Sequence, residues 1–239
     1  MNGLDIVTVI SLLVIIAISS YSIASMFPHV YSYTVTLHRS NDADLHHSDL
    51  MGYAIYMVSR AVCLGISFQY IWIGLVSMLL ACYSIAYPLE SGFARFDLQV
   101  RGTRLSLVVE NYIGTVLTIY VSHVIASVIT TAIAFYPTLV IYAFAASSSM
   151  TLLFLGLASI AYSVSLLIRR VVPSIIVSLA ILYGYDTIAR SLSLAPYRIM
   201  FTTEGNAMYV AVRSSLPILI AGIAMLVATL VYVSRRWEV

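Results

Sequence analysis

The sequence predicts an all-α fold: a polytopic integral membrane bundle of about six transmembrane helices, both termini cytoplasmic, built as a single domain over residues 1–239. Three observations lead there. The chain is 61% hydrophobic and only 9% charged, whereas a water-soluble globule carries about a quarter charged residues. Its apolar residues come in long unbroken blocks rather than in the alternating pattern of barrel strands. Its arginines gather in short connections between those blocks. A bilayer core asks for about 20 residues per helix at 1.5 Å each, so 239 residues accommodate about six crossings.

Residues 6–26 form the first predicted span; their N-terminal flank carries Asp5 and no basic residue, unlike a cleaved leader, so the span is expected to be retained. A polar outer loop, 27–59, follows. The second span, 61–87, is expected to stop at Pro88. After a charged segment at 88–108, the apolar run 109–144 is too long for one upright crossing and is expected to break or kink near Pro137. "AASSSM", 145–150, reads as a tight turn before the fourth span, 151–168. Arg169 and Arg170 form a short turn, the fifth span covers 173–188, a mixed outer segment covers 189–214, and the sixth span covers 216–234.

Orientation follows from the basic residues. With the N-terminus inside, the inner face receives Arg95, Arg101, Arg104, Arg169, Arg170, Arg235 and Arg236, against Arg39, Arg60, Arg190, Arg198 and Arg213 outside. The inner set lies close to helix ends, where positive charge counts most for topology.

Composition also excludes chemistries. All 12 basic residues are Arg, so there is no lysine for a nucleotide-binding P-loop or a Schiff base. A net charge of +2 with no basic tail gives no footing for nucleic acid. Cys63 and Cys82 are too far apart along a helix for a disulfide and read as packing residues. Haem held by two histidines needs a second His at membrane depth beside His123, and an intramembrane serine protease finds neither a GxSxG nor a second His at depth to serve as base.

The segment 90–111 carries six charged residues between two apolar runs. Within it Phe93, Phe96 and Val100 recur at i, i+3 and i+7, with Arg95, Asp97 and Arg101 on other faces and Asp97 set to pair with Arg101 at i+4. That is a short amphipathic helix, which either rests on the inner headgroups or docks into a groove of a cytoplasmic partner. Deeper in the bilayer, His123 reads as a neutral imidazole bonded to a neighbouring helix or as part of a substrate path. Asp186 reads as an i,i+4 partner of Arg190 near the outer headgroups, with a transport role as the alternative. His38, Asp42, Asp44, His46, His47 and Asp49 have metal-ligand chemistry, but adjacent histidines converge poorly and the calcium-loop spacing is missing; a solvated loop without metal is expected.

Taken in order, these features resemble the permease subunits of type-2 ATP-binding-cassette transporters, over most of the chain. The family's acidic residue and glycine after the second span match Glu90 and Gly92, its small-residue and Arg pair matches Thr103 and Arg104, and Asn111 stands where the family often has lysine. "FLGLASIAYSVSLLIRR" is similar to the family's fourth span and exit, and "SRRWEV" to its ending. The resemblance implies a coupling helix in which Phe93 and Phe96 anchor, and Asp97, Val100, Arg101 and Arg104 orient, the contact with a separate P-loop ATPase subunit. ATP and Mg would be bound there, leaving this chain without cofactor or catalysis of its own. It further implies a second permease subunit, the same or different, a translocation path near His123, Asn111 and Asp186, and export across the cell membrane. The competing expectation is a noncatalytic anchor or assembly subunit of a larger membrane complex, such as a respiratory one.

Overall fold

A computed structural model describes residues 3–40, 47–93, 104–134, 137–201 and 207–236. The described residues are almost wholly helical and include no strand, so the all-α membrane bundle is the observed architecture. In chain order the helices are α1 (Gly3–Ser40), α2 (His47–Phe68), α3 (Tyr70–Ser91), α4 (Arg104–Ala134), α5 (Val140–Ile168), α6 (Val171–Leu192), α7 (Tyr197–Phe201) and α8 (Ala207–Arg236). Among these, all but α7 are long and apolar enough to cross a bilayer.

Two of these seven, α2 and α3, are nearly continuous. Gln69 alone separates α2 from α3; its φ of −105° and ψ of 13° stay in the right-handed half of the map, and its carbonyl accepts the Ile73 N–H at 3.1 Å. The axis therefore bends without reversing, since a reversal takes a loop of at least two residues. α1 runs antiparallel to both helices in one register: its backbone at Ile23 meets Gly65 of α2, and fifteen residues earlier Thr8 shares a cavity wall with Leu80, fifteen residues after Gly65. α2 and α3 thus form one bent rod about 67 Å long, roughly twice the hydrocarbon thickness.

Several boundaries differ from the sequence expectation. Residues 27–59 are not a loop: α1 continues to Ser40 and α2 begins at His47, so the polar stretch is mostly helical hairpin. Side chains at 32–50, including His38, Asp42, Asp44, His46, His47 and Asp49, lie outside what the structure describes. The second span continues through Pro88 to Ser91. Pro88 has no N–H to offer the Ser84 carbonyl, so the helix continues past it with one internal bond missing, and the stop comes from Gly92, whose φ of +80° is the left-handed cap that glycine adopts without penalty.

The long apolar run does break at Pro137. α4 ends at Ala134, a 3-10 turn covers Pro137–Leu139, and α5 starts at Val140. The "AASSSM" turn is absent; those residues lie inside α5. Ser147 and Ser148 donate to the Phe144 carbonyl, at 3.0 and 2.8 Å, and Ser149 to that of Ala145 at 2.9 Å, so the hydroxyls are satisfied within the helix. The expected turn between α5 and α6 is present: Arg169 takes φ of +61°, its N–H closing on the Ser165 carbonyl at 2.9 Å. α6 extends to Leu192 and α8 starts at Ala207 and runs through Pro217, so both exceed the spans 173–188 and 216–234.

α5 is the hub, packing against α2, α3, α4, α6 and α8. Lipid offers apolar side chains as good a medium as protein, so helices associate where small residues let backbones approach. At the α5–α8 crossing a Cβ on Gly222 would sit 2.4 Å from the Gly156 carbonyl oxygen, and one on Gly156 would sit 2.8 Å from the Ile218 backbone. Only glycine fits either position.

Candidate functional site

The end of the bundle where α3, α5 and α6 meet carries the arginine-bearing connections. Glu90, in the last turn of α3, accepts the Val171 N–H through Oε2 at 2.8 Å. Val171 opens α6, so the carboxylate takes one of the donors that a helix N-terminus leaves unpaired and meets the favourable end of the helix dipole. The contact joins the start of the 88–108 connection to the Arg169–Arg170 turn. Phe93 is at the same end, 59% exposed, with its ring 6.4 Å from that of Tyr87, which stacks in turn on Tyr83 at 4.7 Å. Arg104 opens α4 there. Phe96, Asp97, Val100 and Arg101 lie outside the described residues.

From this end a polar seam climbs α4. Asn111, Thr115, Thr118 and Ser122 recur at i, i+4, i+7 and i+11 and share one face. Asn111, Thr115 and Thr118 line a cavity of about 160 Å³ together with Glu110, Thr8 of α1 and Ser84 of α3. Thr115 bonds to Ser84 at 3.0 Å and to the Asn111 carbonyl at 2.9 Å, and Ser106 donates to Glu110 at 2.5 Å. The volume suits a few waters or a small ion rather than an organic ligand of ordinary size.

His123 lies beside the upper part of the seam and is fully buried. Its Nδ1 shares a 3.3 Å hydrogen bond with Ser19 of α1, and its ring stacks on Phe154 of α5 with centroids 4.9 Å apart. Its Nε2, with the hydroxyls of Ser127 and Thr131 on the same helix, is buried without a hydrogen-bond partner among the described residues. Buried polar atoms in that condition are rare, and here three belong to one helix. The neighbouring-helix bond expected for His123 is present, and a second ring nitrogen remains for other chemistry.

Asp186 belongs elsewhere. It pairs with Arg190 at 3.2 Å, as the i,i+4 spacing predicts, and accepts the Tyr197 hydroxyl at 2.5 Å. Arg190 Nε also donates to Tyr197, at 3.0 Å, and Tyr197 reaches Tyr70 of α3 at 3.5 Å. Burial, then the hydrogen bond to Asp186, pushes the Tyr197 hydroxyl above its ordinary pKa, which keeps it a donor. This cluster ties α7 to α6 and α3. It is a fastening of the connection, separate from the cavity at Asn111.

Thr8, Ser19, Ser84, Thr115 and Thr118 belong to these sites without a motif of their own in the sequence. The i, i+4, i+7 run of polar residues from Asn111 was the available signal; the α1 and α3 partners carry none. Among the described residues no group of three or more His, Cys, Asp or Glu could hold a metal ion. Comparison with protein-family models, with curated proteins and with solved structures gives no match.

Proposed function

We propose that the chain is the membrane-spanning permease subunit of an exporter of the ATP-binding-cassette type, moving its substrate with ATP hydrolysed by a separate P-loop subunit. The observation that carries the reading is the Glu90–Val171 contact. It couples the connection bearing Phe93 to the start of α6, so a force applied from the cytoplasm at either arginine-bearing connection reaches α3 and α6 together. Both helices pack on one another and on α5. The polar seam of α4 supports the same reading, because it leads from that end toward His123 between α1 and α3, where a substrate path would open. The exposed Phe93 ring supplies an aromatic anchor of the sort in which interface energy concentrates. A second permease subunit completes the path in this reading, and the site is the cell membrane.

The test is isolation in mild detergent from the native source. An ATP-hydrolysing subunit with a P-loop lysine is expected to accompany the chain, and Phe93→Ala with Phe96→Ala is expected to weaken its capture more than about tenfold, as for two anchors each worth about 1 kcal/mol or more. Retention by the double variant, or no nucleotide-binding subunit, would favour the anchor or assembly subunit instead.

A further inference from the structure

A second cavity, of about 370 Å³, opens between α1 and α2 at the end of the bundle opposite the arginine-bearing connections. It is lined by Met26, His29 and Val30 of α1 and by Arg60, Leu64 and Phe68 of α2. Among the described residues the lining combines four apolar side chains with one permanent cation and an imidazole. Arg60, Leu64 and Phe68 stand at i, i+4 and i+8, one above another on a single helix face about 12 Å long. The guanidinium is held in place by Tyr56, to whose hydroxyl Nη1 donates and over whose ring Cζ lies at 5.6 Å.

Depth decides the occupant. The register that sets Ile23 against Gly65 puts Arg60 level with Pro28, two residues past Met26, where the first predicted span ends, and one residue before the second predicted span begins at Ala61. The cation is therefore at headgroup level, and Leu64 and Phe68 lead from it toward the bilayer interior. Phe68 is 54% exposed, so the groove opens sideways to the surrounding lipid. A charge at the interface above an apolar trough matches the two halves of an anionic amphiphile, and the volume lies within the range of ligand pockets.

We propose that this cavity binds an anionic phospholipid of the adjacent leaflet, its phosphate at Arg60 and one acyl chain along Leu64 and Phe68. Trp72 provides a reporter: it lies one turn beyond Phe68, is 60% exposed, and is one of only two tryptophans in the chain.

The experiment uses the full chain with Trp237→Phe, reconstituted in phosphatidylcholine vesicles containing a small fraction of lipid brominated on its acyl chains. Brominated phosphatidylglycerol is expected to quench Trp72 with about fivefold higher apparent affinity than brominated phosphatidylcholine at equal fraction, the worth of one cationic side chain toward an anionic lipid. Arg60→Gln is expected to abolish that preference and Arg60→Lys to keep it. Equal quenching by the two lipids, or a preference that survives Arg60→Gln, overturns the proposal. Should Arg60→Gln lose helical content, competition against the otherwise unmodified site decides. Relief of quenching by unbrominated phosphatidylglycerol but not by phosphatidylcholine supports the site, and relief by both alike overturns it. A brominated fatty acid that quenches where brominated phosphatidylglycerol does not overturns the phospholipid assignment.

Discussion

α5 and α8 cross at Gly156 and Gly222 and are both strongly apolar, yet 72% of an 18-residue apolar window in the stretch that includes α5 is buried against protein and only 22% of the corresponding window in α8. Side-chain size is part of the difference: α5 buries Phe154 and Tyr162 but more of its buried residues are Ala, Gly, Ser or Thr. α5 turns Ala143, Ala146, Ser147, Ala158, Ser159, Ala161 and Ser163 inward, and its hydroxyls bond carbonyls one turn back. α8 instead presents Ile220, Ile223, Val227 and Val231 outward. In water the larger apolar residues would mark the interior. In lipid they have no reason to prefer it, and small residues mark the interior because they permit close backbone contact and dispersion attraction over its length.

That contrast breaks most readily at the crossing itself. Gly222→Val is expected to cost on the order of 3 kcal/mol, because a side chain there meets backbone that has no rotamer to change; denaturant titration of helicity in detergent measures it. A Gly222→Val protein as stable as the parent would show that the crossing is not the seat of α5–α8 association. Leu153→Ala, at a fully buried hub position, is expected to cost about 2 kcal/mol by the same titration, toward the low end for a core cavity because lipid removes the transfer component but not the lost contacts. Val227→Ala sharpens the comparison from the other side: at 53% exposure on α8 its effect is expected to stay within about 0.5 kcal/mol. If it matched Leu153→Ala, the outward face of α8 would have to be covered by protein.

Much of the fold was legible because its causes are local. Apolar length identified the helices, Pro137 marked the break between α4 and α5, and Arg169 with Arg170 marked the turn before α6. Spacing alone gave the Asp186–Arg190 pair. The errors came from polar sequence read as loop. Residues 27–40 and 47–59 form helix despite their polarity, since a helix pairs its own backbone groups whatever side chains it carries. The serines of 145–150 resembled turn residues because serine competes for backbone bonds; in a continuous helix the same hydroxyls fold back onto carbonyls.

The candidate site divided in the same way. Phe93, Asn111 and His123 could be chosen as unusual residues for their surroundings. Their partners could not, because Thr8, Ser19 and Ser84 are ordinary in apolar helices and gain meaning only from the packing of α1 and α3 on α4. The bond from Glu90 to Val171 joins residues 81 positions apart, and no periodicity carries information over that distance.

By itself the sequence determined that this chain has the apolar helices of a membrane protein and where its charges collect, since each depends on transfer free energy summed over neighbouring residues. Tertiary structure decided which helix stands at the centre, that α2 and α3 act as one rod, and which polar groups meet. Those outcomes depend on contacts between distant segments, where the shape of two surfaces and not the composition of either sets the energy.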